Sequence, residues 1–375
     1  MEDVGVTFGG VFWGRRVLVT GDTGFKGSWL AIWLRELGAE VHGLALPPAT
    51  NPSHYALCRL GERIRHRDGD IRDLAAVGAS FDAAKPELVF HLAAQALVRD
   101  SYDDPQGTFD TNVAGTVNVL EAARRCPSVR AVVAITSDKC YENREWEFAY
   151  RENDPLGGRD PYAASKAAAE MAISAYRASF FFAREPKVGL ASARAGNVIG
   201  GGDWAKDRLI PDCVRALSEG RAVLIRNPTS VRPWQHVLEP LAGYLRLAQL
   251  LLEDPARYSE PFNFGPMAPD VLPALELAEL FLAGWGSGRI EVAAGAAEAP
   301  HEAKLLRLSS DKAAATLGFH PLLDAREAVR RTVEWYKQRR QAGPGADLLE
   351  ITVRQIHEYV EAGRQARVVW AVAPR

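Results

Sequence analysis

The sequence predicts an α/β fold built on a doubly wound parallel sheet, followed by a smaller and less regular α/β unit. Two observations lead to this prediction. Short apolar strands alternate with helical segments through the first half of the chain, and a glycine-rich turn joins the first strand to the first helix. Continuous apolar strands that alternate with helices are typical of a parallel sheet covered on both faces.

The first half of the chain contains six predicted strands, at residues 16–20, 40–46, 64–70, 87–93, 130–136 and 187–195. The segments between them have helical periodicity, and we expect helices at residues 26–37, 74–85, 112–125 and 161–180. The last of these helices has proline at its first position, Pro161, where the fixed φ of proline favours a helix start.

The pattern becomes irregular after Asn197, where the stretch GGGDW is followed by short strands and loops. A helix at 237–253 and a strand at 261–265 are expected to return to the main sheet, and further helices are expected at 325–342 and 347–363. We therefore predict a Rossmann-like domain of residues 1–198, to which 237–266 return. A smaller, discontinuous α/β substrate-binding domain would consist of 199–236 and 267–375.

The composition argues against several classes of protein. The chain of 375 residues has 45 basic and 47 acidic side chains and a formal net charge of -2, so no nucleic-acid surface is predicted. We find no run of about 18 uncharged apolar residues and no signal-peptide pattern, so no membrane segment is predicted. The four cysteines lie far apart. This spacing argues against a metal site or disulfides and favours a reduced, cytoplasmic protein.

Glycines recur at every third position of the first turn, at Gly21, Gly24 and Gly27. In a strand–turn–helix context such glycines let a pyrophosphate approach the backbone, although an ordinary glycine-rich turn is the alternative. The second strand ends without the acidic residue that usually binds the adenosine ribose. It also ends without an arginine for a 2′-phosphate, which favours NAD over NADP. Asp70, after the third strand, is able either to bind adenine or to cap the next helix.

Tyr162 and Lys166 are four residues apart on a predicted helix and therefore share a face. An ammonium beside a phenol lowers the pKa of the tyrosine. Such a tyrosine can take a proton from a sugar hydroxyl while hydride leaves its carbon, and Lys166 can also donate to the nicotinamide ribose. Ser137, at the end of the fifth strand, would supply a second hydroxyl to the same oxygen. An exposed helical pair is the alternative.

Together these motifs resemble a known family. The glycine-rich turn, LAAQ at 92–95, NVAGT at 112–116, the strand-end serine and Y-x-x-x-K resemble the extended short-chain dehydrogenase/reductases that act on nucleotide sugars. The resemblance covers roughly the whole chain and implies NAD as the cofactor, a nucleotide-sugar substrate beneath the second domain, and a homodimer. The cofactor residues that it implies are Gly21, Thr23, Gly24, Phe25, Gly27, Asp70, Ile71, Leu92, Ala93, Ala94, Tyr162 and Lys166.

The residues after Ser137 favour one branch of this family. In the epimerases the two positions after this serine usually carry small neutral residues, whereas this chain has Asp138 and Lys139. The dTDP-glucose dehydratases carry Glu at the position of Lys139. The stretches SDKCYENREW, ARAGNVIGGGDWAKDRLIP and RPWQHVLEPL resemble the 4,6-dehydratases whose substrate is CDP-glucose. Asp138 would then protonate the departing C6 oxygen and Lys139 would remove the C5 proton. The expected product is CDP-4-keto-6-deoxy-D-glucose, used in deoxysugar and O-antigen synthesis.

Several alternatives stay open. A dTDP- or GDP-sugar 4,6-dehydratase and a nucleotide-sugar epimerase share most of these motifs, and a catalytically silent NAD sensor is a different class on the same fold. The intact Ser137, Tyr162 and Lys166 argue against the sensor. One chemical difficulty also remains. A lysine base must be neutral, and the adjacent Asp138 opposes this unless it is itself protonated.

Substrate contacts are predicted at residues that follow strands or lie in the second region. These residues are Gln95, Asn197, Arg208, Arg232 and His301. The guanidinium groups suit a diphosphate because they bind phosphate bidentately, and Arg226 is a further candidate of this kind. We rank Arg232 first among the arginines.

Overall fold

The computed structural model describes residues 4–266, 271–293, 305–343 and 345–372. Its strands are β1 (Arg16–Thr20), β2 (Glu40–Ala45), β3 (Arg65–Asp68), β4 (Leu88–His91), β5 (Ala131–Ile135), β6 (Gly189–Ala195), β7 (Val198–Ile199), β8 (Val223–Ile225), β9 (Val231–Arg232), β10 (Gln235–His236), β11 (Pro261–Phe264), β12 (Leu272–Pro273) and β13 (Ile290–Val292). Seven of them form one parallel sheet in the order β11-β6-β5-β4-β1-β2-β3. The strand order reverses between β1 and β4, and open parallel sheets bind ligands at such a switch point.

Helices cover both faces of this sheet, as predicted. They are α1 (Phe25–Glu36), α2 (His54–Leu57), α3 (Leu74–Ala84), α4 (Val98–Asp103), α5 (Pro105–Phe109), α6 (Gly115–Arg125), α7 (Pro161–Tyr176), α8 (Leu209–Ser218), α9 (Leu238–Glu253), α10 (Pro255–Tyr258), α11 (Ala274–Trp285), α12 (Asp311–Leu317), α13 (Ala325–Ala342) and α14 (Leu349–Gln365). The doubly wound fold class and the return of β11 to the sheet are confirmed. Helices α8 and α11 were not predicted. Pro211 lies in the first turn of α8, where proline is tolerated but masks a helical pattern.

The core consists of two layers, one on each face of the sheet. Apolar side chains of α3, α6 and α7 fill one layer, and those of α1, α9, α13 and α14 fill the other. Within the second layer, Trp33 of α1 meets Tyr359 of α14 edge-on at 5.8 Å between ring centroids. Trp370 stacks on Phe8 at 5.0 Å, which joins the two ends of the described chain. The carboxyl-terminal helices therefore pack on the Rossmann-like layer itself.

The second region lies beyond the carboxyl ends of the central strands. It is built from three small strand pairs, β7 with β10, β8 with β13 and β9 with β12, together with α8 and α11. β7 begins three residues after β6 ends, so this region starts directly at the rim of the sheet. None of the helices in the described ranges is long and apolar enough to cross a membrane.

Candidate active site

The glycine-rich turn between β1 and α1 leaves no room for side chains at two of its glycines. A Cβ on Gly27 would lie 2.0 Å from the carbonyl oxygen of Gly21. Gly21 itself has a φ of +78°, and its Cβ would lie 2.7 Å from the backbone nitrogen of Ala93. Gly24 is the N-cap of α1 and supplies no side-chain cap, so the N–H groups of the first turn remain available to a ligand. A tight turn with an uncapped helix start fits the pyrophosphate of a dinucleotide.

The other predicted cofactor residues surround this turn. The hydroxyl of Thr23 donates to the carbonyl of Leu46 at 2.8 Å and ties the turn to the end of β2. Phe25 lines the cavity described below, and Ile71 follows β3 and packs in the sheet core. Leu92, Ala93 and Ala94 follow β4 directly. The structure therefore places these residues along the rim formed by the carboxyl ends of β1, β2, β3 and β4.

Asp70 does not cap the helix that follows it. The cap of α3 is Asp73, whose Oδ1 accepts from the backbone N–H of Ala75 at 2.8 Å. Asp73 is the N-cap because it directly precedes α3. Asp70 instead forms an ion pair with Arg72, with 2.6 Å between Oδ2 and the guanidinium nitrogen. The hydrogen bond from Arg72 holds the pKa of Asp70 below its usual range. The capping alternative is thus wrong, and the adenine contact stays a prediction.

A buried pair that the sequence reasoning missed supports the same turn. Asp22 is fully buried, and its Oδ2 lies 2.7 Å from Nδ1 of His66 in β3. The hydrogen bond to Asp22 raises the pKa of His66, and burial raises the pKa of Asp22. A Cβ on Gly43 would lie 2.2 Å from the Asp22 carboxylate, so only glycine fits there on β2. The sequence feature that could have indicated this pair is the aspartate, Asp22, inside the glycine-rich turn.

Ser137, Asp138 and Lys139 stand where β5 ends and turns into a short 3₁₀ helix, Asp138–Cys140. The Ser137 hydroxyl accepts from the backbone N–H of Lys139 at 3.2 Å and donates to Oδ1 of Asp138 at 3.0 Å. Its hydroxyl lines the same cavity as Tyr162 and lowers the pKa of that phenol. Cys140 faces away into the core and is fully buried. The strand end therefore presents three adjacent polar groups to α7.

Asp138 is the most deeply buried acid at this strand end, with 3% of its surface exposed. Its Oδ2 has no hydrogen-bond partner within the described parts of the chain. Burial raises the pKa of Asp138, although the charge of Lys139, the Ser137 hydrogen bond and the charges of Arg232 and Lys26 all oppose the shift. The protonated form of Asp138 is therefore more populated than that of an exposed aspartate at the same pH. In that form Asp138 can donate a proton and no longer stabilises an ammonium at Lys139.

Tyr162 and Lys166 share one face of α7, and both are buried. Burial raises the pKa of Tyr162 to about 12; the nearby Ser137 hydroxyl opposes this shift, and the charge of Asp138 adds to it. The predicted lowering of this pKa is therefore wrong, because removing the phenolate from water outweighs the attraction of nearby cations. Burial and the charge of Lys26 lower the pKa of Lys166 to about 8.

Lys26 is a second residue that sequence reasoning missed. It lies in the first turn of α1 and lines the same cavity as Asp138. Burial and the charge of Arg208 lower the pKa of Lys26 to about 8, while Asp138 opposes the shift. A cation at the start of a helix opposes the helix dipole. This placement of Lys26 favours a bound anion. The sequence feature that could have indicated it is a lysine inside the glycine-rich turn.

A cavity of 620 Å³ opens in front of these groups. Its walls include residues of the Rossmann-like part and of the second region, and Ser137, Asp138, Lys139, Tyr162, Asn197, Arg208, Arg226 and Arg232 are among them. Three of the predicted substrate residues, namely Asn197, Arg208 and Arg232, are thus brought to one space. The volume is in the range of small-molecule sites.

Acidic side chains pair with the arginines at the rim of this cavity. Arg208 binds Asp203 at 3.0 Å. Asp207 binds both Arg99 and Arg226, each at 3.0 Å. Guanidinium groups gathered in this way suit a diphosphate, whose oxygens accept the same bidentate bonds as a carboxylate.

Gln95 is not among the residues that line the cavity. The side-chain amide of Gln95 donates to the carbonyl of Leu97 at 2.9 Å and to the hydroxyl of Thr108 at 3.0 Å. Gln95 therefore shapes its own loop, and the loop residues after it, Leu97 among them, line the cavity instead. His301 lies outside the described residues. In the described part of the chain, no group of three or more His, Cys, Asp or Glu side chains is placed to hold a metal ion.

Behind the site, a buried ion pair fixes α7 against the sheet. Glu170, one turn after Lys166, binds Arg194 of β6 at 2.7 Å. The carboxylate of Glu170 also accepts from the hydroxyls of Thr136 and Ser192. Burial opposes ionisation of Glu170, but the Arg194 hydrogen bond and charge outweigh burial and hold its pKa below the usual range. The pair sets the position of the helix that carries Tyr162 and Lys166.

Replacing Glu170 with glutamine is expected to lower the free energy of unfolding by about 3–5 kcal/mol, because Arg194 would be left as a buried charge without a counter-charge. The contribution of Glu170 is present above its unfolded pKa, near 4.5, and is lost as the pH falls through the lower folded value. Denaturant unfolding of both proteins at pH 7 and at acidic pH measures the effect.

The matched control is Glu219→Gln, which breaks an exposed ion pair with Arg221. Exposed pairs contribute about 0–1 kcal/mol. Equal losses in the free energy of unfolding for the two variants would show that the buried pair stabilises the protein no more than an exposed pair does.

The sheet, the dinucleotide cradle and the Tyr–Lys pair define a nicotinamide-dependent enzyme of the short-chain dehydrogenase type. The family model described as the NAD dependent epimerase/dehydratase family matches residues 17–263. The chain belongs to this family, and its cofactor is NAD.

Individual relatives agree with this placement. A CDP-glucose 4,6-dehydratase of Salmonella typhimurium is 49% identical to this chain over 355 residues, which cover 94% of this chain and 98% of that enzyme. A dTDP-glucose 4,6-dehydratase of Streptomyces griseus is 31% identical and covers 86% of this chain and 94% of its own. Among solved structures, a dTDP-glucose 4,6-dehydratase of Streptomyces venezuelae with NAD bound has a TM-score of 0.73 at 25% identity, over 87% of this chain and 98% of that one.

Proposed function

We propose that this protein is a lyase that converts CDP-D-glucose to CDP-4-keto-6-deoxy-D-glucose and water with NAD as its cofactor. The observation that carries the proposal is the buried acid Asp138, held beside Lys139 on the wall of the cavity that Tyr162 also lines. An epimerase needs no such acid. The choice of the cytidine nucleotide is supported by the Salmonella typhimurium enzyme, whose name states CDP-glucose.

The first half of the reaction is an oxidation at C4. NAD held by the turn of Gly21, Gly24 and Gly27 would supply the acceptor for the C4 hydride and the donor of hydride to C6. Tyr162 takes the proton of the C4 hydroxyl, and Ser137 hydrogen-bonds the same oxygen and orients it. Burial raises the pKa of Tyr162, whereas the nearby Ser137 hydroxyl and the charge of Arg208 lower it and so ease this transfer. Lys166 holds its ammonium on the same face of α7.

The second half is the loss of water. The C4 ketone acidifies the C5 proton, which Lys139 removes, while Asp138 gives its proton to the C6 oxygen. The C6–O bond breaks, a C5–C6 double bond forms, and water leaves. Once hydride has been delivered to C6, which becomes a methyl group, Lys139 returns a proton to C5. Asp138 suits this role because burial favours its protonated form.

The diphosphate is assigned to the arginines around the cavity. Arg208 and Arg232 line its wall, and Asn197 follows β6 at the sugar end. Displacement of Asp207 by a phosphate would free Arg99 and Arg226 for the same ligand. We place the sugar between this arginine group and Ser137.

A substrate panel tests the proposal. The NAD-loaded protein is incubated in turn with CDP-, dTDP-, GDP- and UDP-glucose, and the 4-keto-6-deoxy product is measured by its absorbance in alkali. We expect product from CDP-glucose and much less from the other three. Absence of product from CDP-glucose would contradict the proposal. Product from dTDP- or GDP-glucose alone would identify a 4,6-dehydratase for that nucleotide sugar instead. An epimerised sugar would identify an epimerase.

Three further assignments belong to this proposal. A homodimer is supported by exposed apolar side chains on and after α7, Met171 and Phe180 among them. A cytoplasmic location is supported by the free cysteines. Use of the product in deoxysugar and O-antigen synthesis stays a prediction. The domain division at 198–199, with 237–266 returning, stays a prediction. A cavity lined from both parts of the chain supports it.

A further inference from the structure

Three separate segments of the chain meet in a cluster of ion pairs on the cavity wall. Asp207 lies in the loop between β7 and α8, Arg99 lies in α4, and Arg226 directly follows β8. Oδ1 of Asp207 is 3.0 Å from a guanidinium nitrogen of each arginine. All three residues line the cavity, and their side chains are 29% to 41% exposed. A ligand that enters the cavity can therefore reach both guanidinium groups and the carboxylate between them.

A second ion pair joins the loop of Asp207 to α4. Nζ of Lys206 lies 2.9 Å from Oδ1 of Asp100, and Lys206 also lines the cavity. Asp207 itself has a φ of +58°, in the left-handed region that residues other than glycine seldom adopt. Such a backbone conformation is unfavourable by itself and persists only where other contacts hold it. The ion pairs to α4 and to Arg226 are contacts of this kind, so their loss would allow the loop to move.

The carboxylate of Asp207 occupies the donors that a diphosphate would use. Carboxylate and phosphate oxygens accept the same N–H groups of a guanidinium, and two anions held at adjacent positions repel each other. Among the described residues, Asp207 is the one acidic partner of Arg99, whereas Arg226 also lies 3.7 Å from Oδ2 of Asp212. Displacement of Asp207 would therefore leave Arg99 without an acidic partner, while Asp212 would still lie beside Arg226.

We propose that Asp207 is an internal competitor of the substrate's diphosphate, a role that rests on the nucleotide-sugar substrate proposed above. Its carboxylate holds Arg99 and Arg226 until the diphosphate takes its place. Arg99 then becomes a diphosphate contact in addition to Arg208 and Arg232. Asp207 lowers the affinity of every ligand that has to use its two arginines. It thereby acts as a specificity-determining residue, because only a ligand with enough negative charge can displace it.

Removal of the carboxylate tests this competition. The NAD-loaded protein is titrated with CDP in a calorimeter, and dTDP, GDP and UDP are titrated in the same way because all four carry the diphosphate. Asp207→Asn keeps the size of the side chain and suits a left-handed backbone. We expect this variant to bind CDP about 2- to 30-fold more tightly than the wild type, the change that loss of two exposed ion pairs corresponds to.

Two further comparisons show whether the gain comes from the arginines. In a protein that carries both Arg99→Gln and Arg226→Gln, the added Asp207→Asn change should no longer tighten CDP binding. The matched control is Asp82→Asn on α3, which removes an exposed carboxylate outside the cavity and changes the net charge equally. Its dissociation constant for CDP should equal that of the wild type.

The outcomes separate competition from other roles of Asp207. An unchanged or weaker affinity in Asp207→Asn overturns the proposal, because it would mean that the carboxylate orients the arginines for the ligand. Tighter binding that persists without both arginines also overturns it. Asp207→Gly, which keeps the left-handed backbone, replaces the asparagine variant if that one does not fold. Failure of the proposed function is seen separately, as absence of product in the substrate panel, since the titration needs no turnover.

Discussion

Replacing Tyr162 with phenylalanine is expected to slow the oxidation of C4 by about 10²–10⁴-fold, the usual contribution of a positioned general base. The phenol oxygen is the only group of this side chain that can take the C4 proton, and phenylalanine keeps the ring and its packing. Rapid mixing of the NAD-loaded variant with CDP-glucose, followed through the absorbance of the reduced nicotinamide, measures this step directly.

The matched control is Tyr176→Phe on the same helix. Tyr176 is partly buried at the far end of α7 and takes no part in the proposed chemistry, so its variant should oxidise CDP-glucose at the wild-type rate. A near-normal rate for Tyr162→Phe would remove Tyr162 from the role of base and leave the C4 proton to another group.

Replacing Lys139 with methionine is expected to separate oxidation from elimination. Tyr162 and Ser137 remain, so C4 is still oxidised and reduced cofactor accumulates. Without the base, removal of the C5 proton and formation of the final product should fall by about 10²–10⁴-fold. Deuterium uptake at C5 from heavy water, read by mass spectrometry, measures the step, and undiminished uptake would mean that the base lies elsewhere. Lys187→Met changes an exposed lysine and serves as the control.

Asp138→Asn tests the other half of the elimination. The acid has to be protonated, so product formation by the wild type should fall as the pH rises through the raised pKa of Asp138. Asparagine cannot lose or gain this proton. The variant should therefore form product slowly at every pH, without the fall that the wild type shows as the pH rises. Oxidation at C4 should persist in this variant. A pH profile of Asp138→Asn with the same fall as the wild type would assign the fall to another group.

Local patterns were sufficient for much of the site. The glycine turn, the Y-x-x-x-K helix and the polar residues after β5 each lie within one segment, so their spacing predicts which face or edge carries them. The parallel sheet then brings the carboxyl ends of its strands to one rim. This is why Ser137, Asp138 and Tyr162 were predicted as neighbours without any three-dimensional information.

The remaining features depend on contacts between distant segments. Asp22 meets His66 across β2, and Glu170 meets Arg194 of β6; neither spacing carries a sequence signal. The direction of the Tyr162 pKa shift depends on how fully the phenol is buried, which the sequence does not state. The amide of Gln95 is held by Leu97 and Thr108 within its own loop, a contact that the sequence pattern does not indicate.

The transfer of hydrogen from C4 to C6 is the central claim, and one isotope experiment tests it most directly. The NAD-loaded protein is incubated with CDP-glucose that carries deuterium at C4, and the position of the label in the product is read by nuclear magnetic resonance. We predict one deuterium in the new methyl group at C6 and none at C4. Deuterium that stays at C4 of an unchanged or epimerised sugar would contradict the account.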